Sequence, residues 1–495
     1  VNGAAPGQPP VVVVMTSNGA GMGHLARQAA VAAAADASGA FLPVLWSMSA
    51  ALPVVAGAVP GAGAAEYCPG PTRGWVRPDR WHRYLERRLV ALVGEVGATA
   101  LVFDGTSPYP GLLAARRSLP HLHMIWSRRG LWRADASRVP LRAAGYFDQV
   151  VEPGDLAAAA DRGPTAGDSG VTRISPVTLL ETVLAGWGAG REPALSREQA
   201  RHRLGLDPDR PAVLVTLGAG SLDDPTSAIA AAVGAALDAP HWQVALTRAP
   251  ISWRELPSQL RGRATVLDGV FPLVRYLAAF DAAVSAAGYN AVHELVLAGL
   301  PTLLVPNTAT SADDQVARAG YLARRGWALV AAQDDPAAIA GRVRDLLDAS
   351  VRADLRAATS ALPRPTGASS LAALLARAAA DPAPRALPRD WYRPVRDASI
   401  QLRRLTGEAV WERARRLAGG RARPPGDAAA PVLETGGPLP PGTRRLLVSD
   451  DLADVARGGD VVVEHVLAGS SAAYLRTRRS IIEASYDAGR PVTGA

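Results

Sequence analysis

Two residues of this 495-residue chain have the type and the setting to move a proton. His24 ends the run Gly19-Ala20-Gly21-Met22-Gly23-His24, and Asp104 closes the apolar run Ala100 to Phe103. An imidazole titrates near neutral pH, so His24 suits the removal of a proton from a hydroxyl. It also suits a purely structural place after a glycine loop. A carboxylate at a strand's C-terminal end sits where α/β sheets gather their ligands, so Asp104 is a rival base, the orienting partner of His24, or a cap for the next helix. The glycines bring backbone close to a ligand and leave helix-start N–H groups free for an anion, or they make a tight turn with no ligand. Asn18, Gly21 and Gly23 of this turn are candidate acceptor contacts. The run does not keep the G-x-G-x-x-G register, and no acid caps a recognisable second strand about 20 residues on, so it makes a poor dinucleotide fingerprint. Arg128 and Arg129, with Arg133, follow the run His121 to Trp126 and either bind an anionic acceptor or stand solvated. His121 and His123 share one face of that strand without a third ligand nearby and are read as structural, so no metal is expected.

A second group lies between Phe280 and Ala319. Ser285, Gly288, Asn290, Glu294, Asp314 and Gln315 fall where strand ends meet helix starts, and they can line one crevice. Glu294, near the start of a helix, can serve the helix dipole alone. It is not a capping-box acid, because the residue three before it is Ala291. The single Cys68 rules out an internal disulfide framework and a Cys-rich metal site.

The elements that must hold these residues read as a repeated unit. Val11 to Met15 is a buried strand, followed by the glycine turn and an Ala-rich helix from Leu25 to Ala35. Pro211 to Leu217 is again a buried strand, followed by Gly218-Ala219-Gly220-Ser221. Two such halves predict an α/β chain of two facing Rossmann-like domains, over 11–175 and 195–380. Strands are expected at 41–46, at 100–103 and, last in the first half, at 146–151, with 56–79 as a long loop. Asp79 to Val96 reads as a surface helix with an apolar stripe, facing the domain or a lipid phosphate. The junction falls at 160–175 and 185–194, and Ser196 caps the first helix of the second half. Residues 385–495 differ in character. Nine Arg stand against three acids between Trp391 and Pro424, on a helix whose stripe of Val395, Ala398, Leu402, Leu405 and Ala409 lies on an anionic membrane or packs on the body. A Pro/Ala linker and a small α/β end follow.

The formal charge of +8 and the pI near 10 come entirely from arginine and suggest an anionic partner. No apolar run approaches the ~18 residues of a membrane span, and the opening stretch lacks a signal peptide's pattern. A cytoplasmic protein, peripheral at most at the inner face of the plasma membrane, is the expectation.

The stretch GYNAVHELVLAGLP from Gly288 to Pro301, followed by a buried strand and Asp314-Gln315, resembles the donor-site motif of GT-B glycosyltransferases, closest to their MurG-like branch. That family also opens with a strand and a glycine loop ending in His, as at Gly19 to His24. The resemblance spans about 11–380. It implies a metal-independent, inverting transfer of a sugar, N-acetylglucosamine or a related hexose, from a UDP-sugar to a hydroxyl acceptor, lipid-linked or a cell-envelope glycan, with no bound cofactor and no nucleic acid. It also implies that Glu294 holds the ribose and that Asp314 and Gln315 meet the sugar. Gly218, Gly220 and Ser221 would lie on the diphosphate, with Phe271 by the base and His24 as base. The family's Gln-Gln pair is Asp314-Gln315 here, after a loop one residue longer. The chain has no Asp-x-Asp pair placed to hold a divalent ion, so fixed donors would carry the leaving diphosphate. A nucleotide-sugar 2-epimerase of the same fold, and a non-catalytic sugar-nucleotide-binding or membrane scaffold, stay open beside it.

Overall fold

The computed structural model describes residues 8–17, 21–62, 64–68, 70, 78–186, 194–218, 224–248 and 262–381, with two short strands at 444–446 and 465–467. The first domain runs β1 (Val11–Thr16), α1 (Gly23–Ser38), β2 (Leu42–Ser47), α2 (Leu52–Ala58), β3 (Ala64–Tyr67), α3 (Pro78–Val96), β4 (Ala98–Asp104), α4 (Pro110–Ser118), β5 (His123–Ser127), β6 (Gln149–Pro153) and β7 (Thr172–Ile174). Its seven strands are parallel, in the order β3-β2-β1-β4-β5-β6-β7. The β-branched run of β1 lies at the centre because both its faces are covered, with Val12 to Met15 fully buried. The chain leaves β1 toward β2 and returns on its other side at β4. The ends of β1 and β4 therefore form a topological switch point, where a crevice opens.

A linker helix, α5 (Leu179–Leu184), leads to the second domain. This runs α6 (Arg197–Leu204), β8 (Ala212–Thr216), α7 (Thr226–Leu237), β9 (Gln243–Arg248), β10 (Thr265–Asp268), β11 (Ala282–Ala286), α8 (Tyr289–Leu297), β12 (Thr302–Val305), α9 (Gln315–Arg324), β13 (Leu329–Val330), α10 (Pro336–Leu347), α11 (Ala349–Thr359) and α12 (Gly367–Ala380). Its six strands follow the order β10-β9-β8-β11-β12-β13, with the switch point between β8 and β11. Ser196 caps α6 in a full capping box with Gln199.

Three sequence expectations are corrected, and the two-way reading of Asp79 to Val96 is decided in favour of the domain. The segment 56–79 is not all loop, since Ala64 to Tyr67 forms the edge strand β3. The first sheet does not end at Val151, because β7 pairs beyond β6. The helix α3 spends its stripe inside the domain. Leu85, Leu89 and Leu92 are fully buried, and its Arg88 makes a buried two-pronged pair with Glu66 at 2.7 and 2.5 Å, so no lipid-facing stripe remains. Finally, α12 does not pack with the rest of 195–380. It crosses back to lie on α1 and β4 of the first domain. Two features hold it there. The N–H groups of Ala368 and Ser369 donate to the Glu181 carboxylate of α5 at 2.7 and 2.9 Å. Gly367 also starts the helix so close to the linker that a Cβ would stand 2.1 Å from the Ser175 carbonyl oxygen. One apolar cluster consequently runs from the first sheet through α5 and α12 to Leu277 and Leu295 of the second domain.

Beyond 381, only the antiparallel strands β14 (Arg444–Leu446) and β15 (His465–Leu467) are described, with β15 beside the edge strand β3. The Arg-rich helix expected between Trp391 and Pro424 lies outside the described residues.

Candidate active site

Both switch points face the same place. The first turn of α1 carries His24, and the end of β4 carries Asp104; His24 Nδ1 lies 2.6 Å from Asp104 Oδ1. Asp104 is buried, yet its carboxyl is held well below the usual carboxylate range. Burial opposes ionisation, and Arg27 and His24 beside it more than offset that. The His24 imidazole is pushed down by burial and by Arg27 and Arg129, against the pull of Asp104, so it stands neutral. A neutral ring next to a carboxylate keeps its proton on Nδ1, donating to Asp104, and leaves the Nε2 lone pair free. Arg27 Nη2, 2.8 Å from the same Nδ1, is then a close neighbour and not its hydrogen-bond donor.

Arg27 and Gln28, which no motif marks, complete the surroundings of Asp104. Arg27 grips Asp104 through Nε at 3.0 Å and Nη2 at 2.6 Å, and Gln28 Nε2 donates to Asp104 Oδ2 at 2.9 Å. The signal was present in the sequence: an Arg-Gln pair inside a helix otherwise built of small buried residues must turn toward polar company.

On the opposite side, α8 begins at Gly288 with no side-chain cap, and α1 begins after Met22 with none either. The two starts meet, since Asn290 Nδ2 donates to the Gly23 carbonyl at 3.0 Å. Two positive helix ends therefore converge beside His24, which is a setting for an anion.

The remaining predicted residues divide. Glu294 shares the face of α8 that Asn290 turns to the first domain, being four residues on. It is partly exposed, its carboxyl accepts from the Leu179 N–H, and burial pushes it up to about 7. Gln315 is buried at the start of α9. Its Oε1 accepts from Asn307 N at 3.0 Å, while its Nε2 lies 3.9 Å from where a Cβ on Gly288 would be. Gly218 is exposed at the end of β8 with φ 92°, the left-handed region that favours glycine. Phe271 is partly buried at the end of β10, and Gly21 is partly buried in open space before α1. Asn18, Gly220 and Ser221 lie outside the described residues.

Four assignments do not fit the geometry. Arg128 is 1% exposed and paired with Glu152 and Asp168 at 3.1 and 3.0 Å, so it is not presented to an acceptor. Arg129 bridges to Asp313 of the second domain at 3.1 Å and lies over the Tyr289 ring. Asn290 spends its amide on the first domain. The Asp314 carboxylate accepts from Ala317 N at 2.9 Å and caps α9, so it faces its own helix and not a sugar.

Residues 246–370 match the family model described as "Glycosyltransferase family 28 C-terminal domain". Among curated proteins, the chain is 35% identical over 104 residues to the UDP-N-acetylglucosamine–N-acetylmuramyl-(pentapeptide) pyrophosphoryl-undecaprenol N-acetylglucosamine transferase of Limosilactobacillus fermentum, covering 20% of this chain and 28% of that one. It is 30% identical over 183 residues to the protein of the same name from Symbiobacterium thermophilum, covering 36% of this chain and 49% of the other. The chain thus spans less than half the length of these relatives. Among solved structures, Acinetobacter baumannii MurG aligns with a TM-score of 0.47 at 15% identity, over 74% of this chain and 100% of that one. Spinosyn rhamnosyltransferase SpnG aligns with a TM-score of 0.47 at 18% identity, over 74% and 99%. The matched segment holds Phe271, Gly288, Glu294 and Gln315, so the likeness to a glycosyltransferase family 28 C-terminal domain falls on the second of the two parallel-sheet domains.

Proposed function

We propose that this chain moves a sugar, N-acetylglucosamine or a related hexose, from a UDP-sugar to a hydroxyl acceptor on a lipid phosphate. The observation that carries the reading is His24 held 2.6 Å from Asp104 and set beside two uncapped helix starts from opposite domains. In the proposed step, His24 Nε2 takes the acceptor's proton as the acceptor oxygen attacks the sugar's C1. The bond from C1 to the diphosphate oxygen breaks, UDP leaves, and the configuration at C1 inverts. Charge develops on the leaving diphosphate where the N–H groups of α1 and α8 already point, with no metal required at that position. Glu294 accepts from the ribose hydroxyls, and the Gly288–Gln315 corner meets the sugar. The curated relatives' printed names support UDP-N-acetylglucosamine as donor and a pyrophosphoryl-undecaprenol acceptor. Such an acceptor goes with a place at the inner face of an anionic membrane, reached through the basic residues 385–495. Among the described residues, no helix is long and apolar enough to cross one.

The test is a thermal-shift panel of nucleotides and nucleotide sugars on the full chain, followed by assay of UDP release. UDP and UDP-N-acetylglucosamine raise the unfolding midpoint, adenosine nucleotides do not, and His24→Ala keeps the UDP shift while losing turnover. A chain that UDP does not stabilise, or a His24→Ala variant of unchanged rate, ends the proposal. Conversion of the donor to a second UDP-sugar without acceptor identifies an epimerase instead.

A further inference from the structure

The second domain reaches the His24–Asp104 pair through side chains to which the chemistry above gives no part. Arg27 is 2% exposed and forks onto both carboxylate oxygens of Asp104. Its third nitrogen, Nη1, crosses the domain boundary to Asn290 Oδ1 at 3.3 Å, and its guanidinium lies 5.3 Å from the centre of the Tyr289 ring. The amide nitrogen of the same Asn290 donates to the carbonyl of Gly23, the residue just before His24. One asparagine of α8 thus holds both the arginine that grips Asp104 and the backbone that carries His24.

We propose that Arg27 and Asn290 are positioning residues, coupling the docking of the two domains to the readiness of His24 as a base. The inference rests on the reading of His24 as that base. A histidine beside a lone buried carboxylate tends to keep a proton and so cannot accept one. A guanidinium shared with the same carboxylate cancels much of that field and still leaves Asp104 ionised to orient the ring. The charged groups acting on His24 are Asp104 from β4, Arg27 from its own helix and Arg129 from the segment after β5, while Asn290 and Tyr289 of α8 meet Arg27. When α8 draws back, Arg27 loses its outer hold and Gly23 its donor, and both changes fall on the residue that takes the proton.

The experiment uses the full chain with Asn290→Ala and Arg27→Gln. UDP release from UDP-N-acetylglucosamine is followed against pH, and the His24 ring is titrated by NMR without substrate, its signal assigned with His24→Gln. Asn290→Ala is expected to lower kcat about tenfold, since misplacement near the reacting groups is costly. Donor KM stays within about twofold, because no ground-state donor contact is lost, and the UDP thermal shift is retained. Arg27→Gln is expected to move the His24 titration up by about one pH unit, carrying the acid limb of kcat with it. Loss of the UDP shift in Asn290→Ala makes Asn290 a donor contact and overturns the proposal. So does an Asn290→Ala enzyme with wild-type kcat, or a His24 titration unmoved in Arg27→Gln. Should Arg27→Gln fail to fold, the kcat-against-KM split in Asn290→Ala decides alone. A wild-type chain that neither binds UDP nor releases it marks failure of the transferase reading instead, and the substrate-free titration still tests the coupling.

Discussion

Glu294 works against the fold and for the ligand. Burial pushes its carboxyl up to about 7 from an ordinary 4.5. Between those values the folded chain holds a proton that the unfolded chain has released, so stability from this group falls as pH rises through the window. Glu294→Gln removes that titration. The variant is expected to show a higher unfolding midpoint than the parent at pH 8, a difference that fades toward pH 5, while its stabilisation by UDP disappears. In the parent, UDP affinity strengthens as pH rises through about 7, because ribose hydroxyls donate to the charged carboxylate; calorimetric titration at pH 6 and pH 8 reads this directly. For His24→Ala, loss of a general base lowers kcat by about 10²–10⁴-fold with UDP affinity kept. Residue types alone pointed to His24, Asp104 and Glu294. For Arg27 they signal only a charge in need of a partner, because that partner is a carboxylate 77 positions away in the chain.

At the scale of elements, α12 shows how a segment of the second half comes to serve the first. Its small residues Ala368, Ala372 and Ala379 are buried, and it packs on α1, itself rich in buried alanines. Glu181 holds its start with two charge-assisted hydrogen bonds. Replacement by alanine leaves those N–H groups unanswered, an effect of about 1–2 kcal/mol. Glu181→Ala is therefore expected to lower the unfolding midpoint and to open α12 to limited proteolysis before either sheet; equal protection in parent and variant refutes the assignment. Periodicity located α12 but not its partner. It missed β3 altogether, because a four-residue edge strand among Gly, Pro and Ala carries too little pattern to stand out.

At the scale of the whole molecule, the two domains are joined by buried charge as well as by apolar surface. Arg318 is fully buried and pairs with Asp155 of the first domain at 2.9 Å and with Asp313 at 2.7 Å, while Arg129 reaches Asp313 from the other side. Backbone pairing continues the junction, with Asp314 N donating to Leu131 O at 3.0 Å and Arg133 N to Ala312 O at 2.7 Å. Arg318→Met leaves two buried carboxylates short of a counter-charge and is expected to cost about 3–5 kcal/mol, measured by urea unfolding. Acid acts on the same junction. His293 is buried and neutral, donating from Nδ1 to the Tyr289 carbonyl and accepting the Leu156 N–H on Nε2, and burial holds its ring below the usual value. Stability from His24 and His293 is present above their ordinary value of about 6.5 and is lost as pH falls below it. The paired Asp104, Asp155 and Asp313, all held low, add further loss once pH passes below about 4. The unfolding midpoint is expected to decline from about pH 6.5 downward, and less steeply in His293→Gln if that variant keeps the Leu156 hydrogen bond.

The sequence by itself determined the repeated strand–glycine–helix unit, the two parallel sheets, the candidates His24, Asp104 and Glu294, and the likeness of residues 246–370 to a glycosyltransferase family model. Each of these is written in a short run of residues, through β-branched strands, glycines at turns and the order of types within one motif. Only the tertiary structure decided that Arg128 is an internal counter-ion, that Asp314 caps its own helix, and that Asn290 belongs to the domain junction. It alone also decided that α12 returns to the first domain. Those outcomes depend on which groups burial brings together in space, whether three residues apart, as for Asp314 and Ala317, or 267 apart, as for Asn290 and Gly23, and a buried polar group left without a partner is too costly to persist.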